Sequence, residues 1–124
     1  MLIQAEPEIY AIDIENKQGD SNLKGKAMII FGEHARELIS TETGLHLLRQ
    51  LCGTEKNPNV DISPILQKNK IRVVLNSNPL SRKLVENGEY CTRVNENKVD
   101  INRNWDAHWE KVTYNCFWLY ENWF

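Results

Sequence analysis

Between Lys26 and Phe31 the chain reads Lys-Ala-Met-Ile-Ile-Phe and then meets Gly32, whereas from Ser40 onward its apolar period lengthens to that of a helix. A short continuous apolar run closed by glycine suits a strand covered on both faces. Leu38, Ile39, Leu45, Leu47, Leu48 and Leu51 then recur near helical spacing, with Glu42, His46, Arg49 and Gln50 elsewhere. Ser40 and Thr41 offer N-caps and Gly53 a stop, so a helix is expected over Thr41–Leu51. Ile9–Glu15 alternates in part, interrupted by Asp13, and reads as a half-buried strand. It is expected to pair with the second strand through the polar loop Asn16–Gly25. Ile62–Leu66 can form a short helix with Ser63-Pro64 at its start. Ile71–Leu75 is a β-branched strand broken by Asn76-Ser77-Asn78-Pro79, after which the chain reads as polar and irregular to Asn102. Strand, strand, helix, strand is an α/β pattern. Functional residues of such sheets gather in loops at strand ends.

The 124 residues amount to one domain or a piece of one, and 41% hydrophobic with 26% charged content lies in the globular range. Net charge is −2 with scattered Lys and Arg, which excludes the electrostatic footprint of a nucleic-acid binder. No apolar run reaches the length of a membrane span. Met1–Tyr10 carries Glu6, Pro7 and Glu8 and no basic segment before an apolar one, so a cytoplasmic start is expected. Cys52, Cys91 and Cys116 are an odd count without Cys-x-x-Cys spacing; free thiols in a reducing compartment are the expectation.

Two segments carry chemistry. His34 and Glu37, in Gly32-Glu33-His34-Ala35-Arg36-Glu37-Leu38-Ile39-Ser40, can converge on one ion at a turn entering a helix. A catalytic zinc takes His nitrogen and carboxylate oxygen, commonly three protein ligands and a water. On its own the pair also fits a surface His beside an acid that favours a helix dipole. Some 65 residues on, Val99-Asp100-Ile101-Asn102-Arg103-Asn104-Trp105 offers an Asn-Arg pair. Arg presents a planar, permanently charged fork that matches a carboxylate, and Asn adds a neutral donor. Adjacent strand residues point opposite ways, so this pair needs an irregular segment to converge. The alternative for Arg103 is a buried structural Arg paired with Asp100 or Asp106.

These segments, in this order and spacing, resemble the zinc carboxypeptidases of the carboxypeptidase A type over Ile9 to Trp109. Asn78-Pro79 resembles that family's Asn-Pro-Asp-Gly turn, with Leu80-Ser81 in place of Asp-Gly. The resemblance implies a partial mixed-sheet α/β sandwich, zinc as cofactor, and a peptide or protein C-terminus as substrate. It implies His34 and Glu37 as metal ligands, and Asn102 and Arg103 as holders of the substrate carboxylate. Arg93, in Cys91-Thr92-Arg93-Val94-Asn95, is the candidate for the Arg that stabilises the oxyanion. Arg36 matches an Arg that touches a more distant substrate subsite. His108 stands at a position the family does not use, and His46 is expected to face solvent. The family's third ligand, a His, and its general base, a Glu, lie downstream of anything assignable here. Residues 1–124 therefore read as the N-terminal portion of such a domain, with about 110–124 a divergent, aromatic-rich tail. A metallocarboxypeptidase whose fragment is inactive alone is the first reading. A non-catalytic carboxylate- or peptide-binding module that keeps the clamp is the second.

Overall fold

The computed structural model describes residues 9–16, 25–55 and 57–105. Within them the chain forms β1 (Ala11–Ile14), β2 (Gly25–Ile30), α1 (Leu38–Leu51), α2 (Ser63–Lys68), β3 (Asn69–Val74), α3 (Pro79–Glu86) and a single 3-10 turn, Ile101–Arg103. The result is a small mixed α/β fold on one sheet, the tail beyond Trp105 lying outside the described residues.

The strand order is β1-β3-β2, with β1 antiparallel and β2 parallel to β3. The first two strands therefore do not pair with each other, contrary to the sequence expectation. The strand that is buried is β3, through Ile71, Val73 and Val74. The centre of a sheet goes to the strand with most apolar surface to cover, and β3 carries β-branched residues on both faces. Gly25–Met28 of β2 is exposed, so that run is not covered on both faces among the described residues.

Ile12 and Ile29 flank Val73, and Ile14 and Ala27 flank Ile71, which puts all six on one face. That face packs on Leu47, Leu48 and Leu51 of α1 and Leu66 of α2. Fully burying one such side chain stabilises by roughly 1.5–3 kcal/mol. Gly44 lets α1 approach: a Cβ there would lie 2.6 Å from the Phe31 ring. On the opposite face Asp13 accepts from Arg72 Nε and Nη2 at 2.6 and 2.8 Å. Asp13 thus sits where strand alternation calls for a polar residue. The Arg72 fork holds its carboxyl down to about 2, against desolvation.

Helix α1 starts earlier than the spacing predicts. Ser40 lies inside it, and its Oγ accepts from Gly32 N–H at 3.1 Å instead of capping. Leu38 and Ile39 stay exposed. Helix α3 falls in the stretch read as irregular. Pro79 occupies its first turn after Asn78 as N-cap, and only Ser81 and Val85 turn inward. Half its residues are polar or charged, so the apolar period is too sparse to read. Cys52 is free and exposed, but Cys91 is disulfide-bonded, which corrects the free-thiol reading at that position. Cys116 lies outside the described residues. No helix of the described residues is long and apolar enough to cross a membrane.

Candidate active site

The site forms past the C-terminal ends of the parallel neighbours β2 and β3. Phe31 N–H continues the ladder to Val74 O at 2.8 Å, and Ser77 N–H closes back on Phe31 O at 3.0 Å. Asn78 Nδ2 then donates to Glu33 O at 3.2 Å, tying the two exit loops side by side. Gly32 turns the chain out of the sheet at φ +70, with Asn76 Oδ1 and Thr41 Oγ1 each 2.9 Å from where a Cβ would stand. Only glycine meets both demands. The turn that follows delivers His34 buried and Glu37 half in solvent, at 8% and 48% exposure.

His34 Nδ1 lies 3.0 Å from Glu37 Oε1, and its Nε2 lies 3.0 Å from Asp100 Oδ1. Arg93 completes the cluster, donating from Nε to Asp100 Oδ2 at 2.9 Å and from Nη1 to Glu37 Oε1 at 3.1 Å. Arg93 and Asp100 are brought together by the turn between them, where Asn95 Oδ1 accepts from the N–H of Asn97 and Val99. The backbone of this segment is also tied to the first motif, Ala35 N–H donating to Arg93 O at 3.1 Å.

Four side chains thus meet, three of which the sequence singles out. The fourth, Asp100, enters the sequence reading only as a partner for Arg103. A metal-binding His commonly has its second ring nitrogen held by a carboxylate or carbonyl, which says that a partner is to be sought but not which residue it is. Asp100 Oδ1 also accepts from Asn102 N–H at 3.1 Å, opening the 3-10 turn. Asn102 and Arg103 lie on that turn, both exposed. Arg103 Nη1 donates to Asn102 O at 2.8 Å, and among the described residues no carboxylate pairs with Arg103. Asp100 links this turn to the cluster, through its bond from Asn102 N–H on one side and its contacts with His34 and Arg93 on the other. Arg36 is half-buried beside the cluster in sequence. His46 faces solvent, its Nδ1 3.2 Å from Glu55 Oε2, and His108 lies outside the described residues.

The geometry bears on whether a metal fits. The two ring nitrogens of His34 face carboxylate oxygens on both sides, Nε2 that of Asp100 and Nδ1 that of Glu37, each at 3.0 Å. Such a contact needs a proton or a cation between the two atoms. Two ligands of a tetrahedral zinc at about 2.0–2.1 Å stand about 3.3 Å apart, so a few tenths of an ångström of opening would admit the ion. Imidazole nitrogen with carboxylate oxygen is a zinc donor set. Among the described residues no three His, Cys, Asp or Glu form a complete cage.

A mixed sheet with a His-x-x-Glu turn at its strand ends and an Asn-Arg turn joined to it by an aspartate defines a peptidase-like α/β chain. The model of one family, described as zinc carboxypeptidase, matches residues 6–117, and the chain belongs to that family. A search of curated proteins gave no match.

Proposed function

We propose that the chain carries the metal- and substrate-binding half of a zinc metallocarboxypeptidase, the hydrolase that removes C-terminal residues from peptides. The family's α/β sandwich would be completed around the three-stranded sheet. The observation that carries the reading is the pairing of His34 Nδ1 with Glu37 Oε1 at 3.0 Å while Asp100 holds the far ring nitrogen. Zinc bound there would supply Lewis acidity and an activated water. His34 and Glu37 would hold it. Arg103 and Asn102, exposed on one turn, would take the substrate's terminal carboxylate, Arg103 through its charged fork. Arg93 would offer N–H donors to the developing oxyanion, a contribution of about 3–4 kcal/mol for one well-placed donor. Arg36 would reach residues further from the scissile bond.

Binding tests this directly. A peptide with a free C-terminal carboxylate should bind the zinc-supplemented chain, and its C-terminal amide should bind less. Arg103→Ala should erase the difference. Equal binding of acid and amide would remove the substrate assignment. The second reading, a binding module without turnover, draws support from the incomplete cage among the described residues. Carboxylate binding without zinc and without His34 dependence would favour it.

A further inference from the structure

The His34–Glu37 turn is bracketed by two side chains of α3. Asn78 Nδ2 donates to Glu33 O at 3.2 Å, just before His34, and Arg82 Nη1 donates to Leu38 O at 3.1 Å, just after Glu37. The two residues stand one helical turn apart, Arg82 N–H donating to Asn78 O at 3.0 Å. Both are largely withdrawn from solvent, Asn78 at 2% exposure and the Arg82 side chain at 15%. We propose that α3 is a brace for this turn, with Asn78 and Arg82 as positioning residues that set the spacing of His34 and Glu37. The use of that spacing by a metal rests on the reading above; the brace itself does not.

An Asn at an N-cap ordinarily gives its side-chain oxygen to an N–H of its own helix. Asn78 makes no such bond: its amide N–H goes to Glu33 O, and its Oδ1 is buried with no hydrogen-bond partner among the described residues. A buried acceptor left unmet is a cost, so this side chain serves the turn at the expense of its own helix. Arg82 is aimed as firmly. Its Nε donates to Glu86 Oε1 at 2.8 Å on α3 and its Nη2 to Glu42 Oε1 at 3.4 Å on α1, which leaves Nη1 for the Leu38 carbonyl. A planar fork with fixed donors can serve acceptors on both helices at once, whereas an ammonium is a point charge. The turn needs such support. Inside it Glu37 N–H donates to His34 O and Ser40 N–H to Glu37 O, both at 3.1 Å. A first turn fixes roughly six dihedrals for one bond and is unfavourable by itself. Ala35 N–H ties its middle to Arg93 O at 3.1 Å, and α3 ties both ends. Site geometry has to be held to about 0.5 Å by such surrounding contacts. With His34 Nδ1 and Glu37 Oε1 at 3.0 Å, slack at either end of the turn separates the pair.

The test is amide hydrogen exchange at Glu37 and Ser40 in the metal-free 124-residue chain, with zinc affinity read in parallel by chelator competition. It compares wild type, Asn78→Ala, Arg82→Gln, Arg82→Lys, Val85→Ala and His34→Ala. Val85, 2% exposed on the same helix, controls for loss of stability alone. Asn78→Ala and Arg82→Gln should each quicken exchange at Glu37 and Ser40 roughly tenfold relative to Val73, the worth of one ordinary hydrogen bond. Both should weaken zinc binding about tenfold, the lower end for a lost support behind a metal ligand. Arg82→Lys keeps the charge between Glu42 and Glu86 but not the fork, and should still quicken exchange; as the mildest change it decides the matter if the other two fail to fold. Val85→Ala should lower the urea midpoint and leave both readouts near wild type. Unchanged exchange in a folded Asn78→Ala or Arg82→Gln, or equal quickening in Val85→Ala, overturns the brace. Wild-type protection in Arg82→Lys makes Arg82 an ion pair only and overturns its part. Quickened exchange with unchanged, His34-dependent zinc affinity overturns the claim that the brace sets the spacing of the pair. Quickened exchange with no His34-dependent zinc binding in the wild type overturns the metal reading and supports the brace alone.

Discussion

Asp100 Oδ1 stands 3.0 Å from His34 Nε2, and this contact leaves Nδ1 as the ring nitrogen that faces Glu37. The contact orients the ring and makes Nδ1 the better donor. Asp100→Asn should therefore weaken zinc binding by about 10–100-fold, the usual cost of losing a partner behind a metal ligand. Chelator competition measures it, with the urea midpoint as a folding control. Unchanged zinc affinity in a folded variant would show that His34 is oriented by something else.

Gly32 should not tolerate a side chain. At φ +70, with two oxygens 2.9 Å from the Cβ position, alanine meets both strain and a clash. Gly32→Ala should lose about 1–3 kcal/mol in urea unfolding. The same change at Gly53, where a Cβ meets nothing within 4 Å, isolates the backbone part.

Acid should remove one identifiable contact on the outer sheet face. Asp13 is held at about 2 in the folded chain against an ordinary 3.8, chiefly by its bond from Arg72. A depressed carboxyl stabilises fully above its unfolded value and loses that contribution as pH falls through its folded one. The stability difference between wild type and Asp13→Asn should thus be constant above about pH 4 and vanish near pH 2. The pair is exposed, so the difference should be small and shrink further in salt.

Reducing the Cys91 disulfide should loosen Arg93, two residues away. Among the described residues one backbone bond, Ala35 N–H to Arg93 O, ties that segment to the first motif. Hydrogen exchange at Ala35 should quicken by roughly tenfold on reduction, the worth of one ordinary hydrogen bond. Exchange at buried Val73 should hold steady. Equal acceleration at both would make the disulfide a general staple instead.

The chain on its own should bind zinc weakly and release no C-terminal residues. Two protein ligands leave the ion largely hydrated. Where no general base is in place, the loss is about 10²–10⁴-fold. Assay against a mixed peptide pool with added zinc, with His34→Ala as control, checks this; robust His34-dependent release would reveal a third ligand and base, with His108 the first to examine.

The elements that were legible in the sequence are those whose apolar period is dense. Ile71, Val73 and Val74 announce β3, and Leu47, Leu48 and Leu51 announce α1. Pairing was not legible, because which strand takes the centre depends on total burial rather than on neighbourhood in the chain. Helix α3 escaped notice because its inward face is a Ser and a Val. At the site, His34, Glu37 and Arg93 could be named from motif order, and the structure draws them into one cluster. Asp100 could not be weighed correctly. Its carboxylate is defined by what it touches 66 positions earlier, and no local pattern encodes such a partner.

The same span bears on how the protein is made. His34 and Glu37 leave the ribosome well before Arg93 and Asp100. At a synthesis rate of about 5–20 residues per second, 66 residues correspond to roughly 3–13 s. For the first part of that interval β2 has been translated without β3, and throughout it the imidazole has no aspartate behind it. A nascent chain would thus present the His34–Glu37 turn with its imidazole unoriented. If the turn takes a metal as proposed, loading would follow translation of the 3-10 turn and would report that the polypeptide has been synthesised at least that far.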